Sequence, residues 1–220
     1  MLRRINSIVF MVLLLAFAVG LGNFQAVASV SALPKSTEKN SATATAFHDA
    51  MRKLWEDHIT WTRLFIVSAV AELPDKGPTT NRLLQNQVDI GNAVKPYYGD
   101  AAGEKLTTLL KEHITTAAEL VAAAKGNESA KMADANKRWY ANADAIAAFL
   151  SGANPKSWPA DDMKRMMHEH LDLTAAEVQA RLKGDWPADI AAYERVTSRF
   201  CTWRTCSATA LSASSQRNFD

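Results

Sequence analysis

From about residue 45 onward, apolar residues recur every three or four positions, which is the spacing of a single buried stripe on an α-helix. The stripe is interrupted at Leu73-Pro74-Asp75-Lys76-Gly77-Pro78, Pro96-Tyr97-Tyr98-Gly99-Asp100, Gly126-Asn127-Glu128-Ser129, Ser151-Gly152-Ala153-Asn154-Pro155 and Gly184-Asp185-Trp186-Pro187. These breaks predict six helices over roughly 45–72, 79–95, 101–125, 130–150, 158–183 and 187–200. No strand alternation competes with them. Short links between long amphipathic helices favour antiparallel neighbours, so the expected fold is all-α, an up-and-down antiparallel helical bundle built from three helical hairpins.

One residue type stands out against the apolar stripes. Three times an acid, a histidine and a branched aliphatic follow one another: Asp57-His58-Ile59, Glu112-His113-Ile114 and Glu169-His170-Leu171. At about 100° per residue, His58 shares its helix face with Met51, Trp55 and Phe65, and His113 shares one with Leu106, Leu109, Leu110 and Leu120. His170 lies with Met163, Met166 and Met167, on a wetter stripe that also carries Glu177 and Arg181. A buried imidazole is costly unless it has a partner. The spans His58 to Asp89 and His113 to Asp144 are both 31 residues and both are centred on a loop, so each pair should sit at one height. The two aspartates, however, fall opposite their apolar faces and read as surface or salt-bridge groups. Gln87 and Asn142, each 29 residues after its histidine, face inward instead. The expectation is a polar layer of His58, Gln87, His113 and Asn142 across four helices, with His170 approaching from the fifth and Thr62 and Thr174 in support.

Three readings of that layer stay open. Imidazoles converging from several helices are a recurrent way to hold a transition metal ion, with Asp57, Glu112 and Glu169 placed to orient ring N–H groups on neighbouring helices. The HExxH and ExxH spacings are absent, and no inward carboxylate completes a di-iron set. A pocket for a small organic ligand or non-covalent haem is the second reading, lined by Trp55, Trp61, Trp139, Met51, Met163 and Met167. The third is a buried hydrogen-bond network that fixes helix register. His168 points outward and His48 lies on a flank, so neither joins the layer. There is no Gly-rich phosphate loop, nucleophile elbow or Ser-His-Asp order, and no catalytic residue is assigned. A hydrolase or transferase would have only Glu177 and Arg181 as inward charged groups.

The N-terminal residues set the compartment. Arg3 and Arg4 precede an almost wholly apolar run, Ile8 to Val19, and Ala26-Val27-Ala28 and Val30-Ser31-Ala32 are small-residue cleavage sites. Residues 1–32 are therefore expected to be an export signal and 33–44 a flexible lead-in, with the bundle over 45–200 in the periplasm or outside the cell. Gly20, Gly22, Asn23 and Gln25 break the run short of the ~20 apolar residues of a membrane span. Stable membrane insertion is not expected after cleavage; an uncleaved anchor is the alternative. Cleavage would leave 23 basic and 23 acidic side chains, and such a neutral, mixed surface argues against nucleic acid as a partner. Cys201 and Cys206 are the only cysteines, and with no CxxCH there is no covalent haem.

The stretches Leu54-Trp55-x-x-His58-x-x-Trp61-Thr62-Arg63, Asn86-Gln87-x-Asp89-Ile90-Gly91-Asn92-Ala93, Pro96-Tyr97-Tyr98-Gly99 and Asn142-Ala143-Asp144-x-Ile146-x-x-Phe149-Leu150 are specific. Over about residues 47–196 the chain resembles a family of small exported bacterial all-helical proteins. The resemblance implies no established activity. Similar sequences carry the labels glycosyltransferase or acetylglutamate kinase, for which this chain offers neither phosphate loop nor strand pattern. The likeness ends near Phe200, where residues 201–220 lose the helical stripe. One set of codons for that stretch, read one base earlier, gives Ile-Leu-His-Met-Ala-Asp-Met-Leu-Ser-Asp-Gly, an amphipathic helix with a further histidine. The tail is accordingly expected to be a frameshift product. On these grounds the chain reads as an exported bundle whose histidine layer binds a metal ion or small ligand. The alternatives are a structural or interaction protein of the cell envelope and a transferase.

Overall fold

The computed structural model describes residues 35–199 apart from residue 157, with side chains from residue 45 onward. The expected export signal, the cysteine pair and the frameshifted tail lie outside the described residues. Six helices are described: α1 (Lys35–Ala71), α2 (Lys76–Tyr98), α3 (Asp100–Lys125), α4 (Ser129–Ala153), α5 (Ala160–Lys183) and α6 (186–199). Consecutive helices from α1 to α5 pack against one another, and α1 also touches α5, which closes the up-and-down bundle. No strand occurs among the described residues.

Several helices run past the boundaries expected from the sequence, α2 beginning at Lys76 and α4 ending at Ala153, and two further differences are instructive. α1 starts at Lys35, inside the stretch read as a flexible lead-in. Residues 35–46 carry no apolar stripe, but they contain neither Gly nor Pro, so nothing in them stops the helix from running backward. At the other end of the hairpin, α2 runs through Pro96 to Tyr98. A proline near the end of a helix forfeits one backbone hydrogen bond without stopping the last turn.

The turns repeat more closely than the sequence does. The first helix of every hairpin ends on a left-handed residue: Glu72 (φ 54°), Asn127 (φ 55°) and Gly184 (φ 70°). In each case the next amide bonds back to the same place in the last turn: Leu73 N–H to the Ser68 carbonyl (2.9 Å), Glu128 N–H to Ala123 (2.9 Å) and Asp185 N–H to Ala180 (3.0 Å). This is the six-to-one closure that satisfies carbonyls orphaned at a helix C-terminus. Each left-handed residue lies 14 positions after the hairpin's histidine, so all three histidines stand about 21 Å from their turn along the helix axis.

Between hairpins the spacing is set by small residues. α2 and α3 are linked by Gly99 alone and touch backbone to backbone at Gly91 and Gly103. A Cβ on either glycine would lie 2.6 Å from the other's carbonyl oxygen, so no larger side chain fits without parting the helices. The apolar core then divides in two. The larger cluster gathers Met51, Trp55, Ile90, Leu106, Trp139 and Leu171. The smaller one gathers Phe65, Ile66, Leu83, Ile114, Val121 and Val178. The histidine positions on α1 and α3 fall between these clusters along their helices.

Candidate functional site: a histidine-lined cavity

His58 on α1, His113 on α3 and His170 on α5 converge. The His170 ring centroid lies 6.2 Å from that of His58 and 6.1 Å from that of His113. His58 and His113 are buried, each 3% exposed, and His170 is half-buried. The indole of Trp55 meets the His58 ring edge-on at 5.9 Å, and that of Trp139 lies 5.4 Å from the His113 ring.

Amides on the returning helices hold two of these rings. His113 Nδ1–H donates to Asn142 Oδ1 (3.0 Å), while Asn142 Nδ2 donates to the Leu109 carbonyl (3.1 Å), one turn before the histidine. The second bond fixes which way the amide faces and hence places the His113 proton on Nδ1. In the first hairpin the same work is divided. Asn86 Nδ2 donates to the Leu54 carbonyl (3.0 Å), again one turn before the histidine, and Gln87 faces the ring. Gln87 Nε2 lies 3.3 Å from His58 Nδ1 but closer to the Leu83 carbonyl (2.8 Å) and Asn86 Oδ1 (3.1 Å). Two amide hydrogens thus serve three acceptors, while Gln87 Oε1 is buried with no partner among the described residues.

Burial dominates the charge state. It pushes the His58 imidazole down to about 3, helped by repulsion from His113 and opposed by the bonds to Gln87 and Asn86. His113 is pushed down to about 4 by burial, with Asn142 opposing. His170 is held well below 6.5 by burial and by the other two rings. At neutral pH all three are uncharged imidazoles.

The three rings share a cavity of about 300 Å³, closed by Trp55, Met163 and Met167 and rimmed by Asp162, Arg165, Glu169 and Arg199. The other aromatics and methionines expected around a ligand lie elsewhere. Met51 lines a small void of about 30 Å³ beyond Trp55. Trp61 has the Arg82 guanidinium over its ring at 5.4 Å, and Trp139 borders a different cavity.

The acids next to the histidines bind other groups than the rings. Asp57 accepts from Lys53 (2.7 Å), Glu169 pairs with Arg199 across the rim (2.5 Å), and Glu112 is exposed. Each sits about 100° from its histidine's face, and cations pair with Asp57 and Glu169. Thr174 Oγ1 donates to the His170 carbonyl (2.8 Å), as helical threonines commonly do, so it supports the backbone and leaves the ring alone. The Thr62 hydroxyl is buried in the neighbouring cavity, away from the three histidines' own. Asp89 bonds Gln85 (3.0 Å) and Arg82 (3.3 Å) at the surface, and Asp144 bonds His168 (2.7 Å) and Lys164 (3.0 Å).

A second polar cluster escaped the sequence reading in part. Glu177 and Arg181 were visible as inward charges, but their partners Arg63 and Asp189 were not. Arg63 bonds Glu177 (2.8 Å) and grips both Asp189 oxygens, one of them at 2.7 Å, and Arg181 adds a bond to Asp189 (3.0 Å). Glu177 and Asp189 are 2% and 1% exposed. Hydrogen bonding from Arg63 holds the Asp189 carboxyl below its ordinary range, while burial pushes Glu177 upward against the same arginine. Every carboxylate here is matched by a guanidinium, so the cluster ties α6 to α1 and α5. The inward turn of Asp189 on a short, charged helix left no periodic signal.

Among the described residues, no group of three or more His, Cys, Asp or Glu side chains is arranged to hold a metal ion, and no helix is long and apolar enough to cross a membrane. No protein-family model matches the chain, and no curated protein or solved structure does either.

Proposed function

We propose that this chain is an exported binding module that takes a small organic ligand in the histidine-lined cavity. The observation that carries the reading is the cavity of about 300 Å³ with all three imidazoles in its lining, a size within the range of ligand sites. A purely structural network would close around its own polar atoms; here neutral rings border open space. Trp55, Met163 and Met167 supply the apolar contact such a ligand needs, and the imidazoles supply a few directional polar groups. Because Asn142 holds the proton of His113 on Nδ1, the other ring nitrogen is left as an acceptor. A phenol or comparable aromatic alcohol matches that chemistry. Export rests on Arg3, Arg4 and the apolar run Ile8 to Val19.

Titration of untagged protein with 4-ethylphenol at pH 7, followed by tryptophan fluorescence, tests the proposal. Saturable one-to-one binding is expected, weakened about tenfold or more when His58→Ala and His113→Ala are combined. Equal binding by both proteins, or none by either, removes the reading. A transition metal ion is the second reading, favoured by two neutral imidazoles whose ring centroids lie 6.2 Å and 6.1 Å from that of His170. Metal analysis of the same untagged preparation addresses it: no bound zinc, copper or iron, and no change in the double variant, sinks it.

A further inference from the structure

On the far side of the His113–Trp139 ring pair lies a second cavity, larger than the first at about 400 Å³, among α1 to α5. Its inner walls are mainly apolar, with Phe65, Leu83, Ile114 and Val178 drawn from four helices. No charged side chain lines it. Exposed Ser129, Asn136 and Gln179 stand at its edge, so the cavity opens to solvent on one side while its inner end reaches the core.

Two buried polar atoms in its lining make the cavity informative. Trp139 is 3% exposed, yet its Nε1–H has no hydrogen-bond partner among the described residues. The Thr62 hydroxyl, on the opposing α1, is likewise buried and without a partner. A threonine inside a helix ordinarily spends its hydroxyl on the carbonyl one turn back, as Thr174 and Thr107 do in this protein. An indole N–H can only donate, and a hydroxyl can donate or accept. Burying both unmet is costly, and each lines the same apolar space.

We propose that this cavity is a second ligand site, for an uncharged, mainly apolar molecule carrying one hydrogen-bond acceptor such as a ketone, ester or ether oxygen. Trp139 Nε1–H donates to that oxygen, and the Thr62 hydroxyl offers a second donor within the same walls. An ionised head group is disfavoured because nothing in the lining would neutralise it. A cavity of about 150 Å³ holds benzene, so this one, at about 400 Å³, accommodates a chain or fused ring system larger than a single ring. The site does not use His58 or His170, so it stands or falls apart from the histidine-lined cavity.

The test uses 2-nonanone as probe and the whole chain, with binding followed by calorimetry. Saturable binding of one molecule per chain is expected, weakened about five- to tenfold by Trp139→Phe, which keeps the ring volume and removes the donor. Helical circular dichroism checks that the variant is folded. If it is not, Ala117→Leu, which narrows the cavity from α3, replaces it and is expected to weaken binding by a similar factor. Absence of saturable binding to the wild-type chain means the cavity holds only water, and overturns the proposal. Unchanged affinity in the folded variant overturns it as well.

Discussion

The first two hairpins and the third solve the same geometric problem with different chemistry. In α1–α2 and α3–α4, the residue 29 positions after the histidine is an amide facing the ring, Gln87 or Asn142. In α5–α6 that position is Arg199, which reaches instead to Glu169 on the cavity rim. The neutral hairpins therefore bury their polar groups as imidazole and amide, whereas the third is fastened by ions: Arg63 and Arg181 on Glu177 and Asp189 inside, Arg199 on Glu169 outside. Neutral pairs are sensitive to protonation and indifferent to salt. Ion pairs respond the other way when exposed, and when buried they fail badly only if one partner is removed.

Acid should separate the two designs most strongly. The unfolded chain takes up protons on His58 and His113 near pH 6.5, but the folded chain resists until about 4 for His113 and about 3 for His58. Folded values below unfolded ones mean that stability is full above pH 6.5 and drains as pH falls through 4 toward 3. At about 1.4 kcal/mol per pH unit, each histidine gives up roughly 3 kcal/mol between pH 6.5 and 4. Urea unfolding at several pH values measures this, and His113→Leu should flatten the slope; a slope unchanged in that variant would show that other groups carry it.

Next in size is the ionic fastening of the third hairpin. Arg63→Ala leaves Glu177 and Asp189 buried with only Arg181 between them, and a loss of about 3–5 kcal/mol is expected at neutral pH. Selective hydrogen-exchange loss in α6 would accompany it. An effect below about 1 kcal/mol would mean that the network is no stronger than a surface pair.

The smallest expected contrast lies between the two neutral hairpins themselves. Asn142 makes both the ring bond and the bond to Leu109, so Asn142→Ala should cost about 2–3 kcal/mol. Gln87→Ala leaves Asn86 on the Leu54 carbonyl and also removes the unpartnered Gln87 Oε1, so roughly 1 kcal/mol is expected. Chemical denaturation of the two variants side by side decides it, and equal costs would show that the work is not divided between Asn86 and Gln87.

That division also marks how far the sequence could be read. Periodicity near 100° per residue separated Gln87 and Asn142 from Asp89 and Asp144, because a stripe of Leu83, Ile90 and Val94 or of Trp139, Ile146 and Leu150 leaves little doubt about which side is inside. Asn86 was passed over because it sits beside Gln87 in sequence, at the edge of the stripe, where two amides can share one buried corner. Asp57, Glu112 and Glu169 lie about 100° off their stripes, where the sequence places them to orient rings on neighbouring helices; instead Lys53 on the same helix and Arg199 on α6 claim Asp57 and Glu169. Arg63 and Asp189 were out of reach for a different reason. Their contact joins residues 126 apart through helices whose mutual placement no local pattern records. The cavities belong to the same class, since missing volume leaves no letter in a sequence.

The constant interval of 14 residues between each histidine and its left-handed turn acts as a phase setting. One residue inserted between His113 and Asn127 would rotate the imidazole about 100° around α3 and shift it about 1.5 Å along the axis. The helix, its cap and its composition would all survive, yet the ring would leave Asn142 and face Glu112's side of the helix. The three stretches 58–72, 113–127 and 170–184 are therefore each effectively of fixed length.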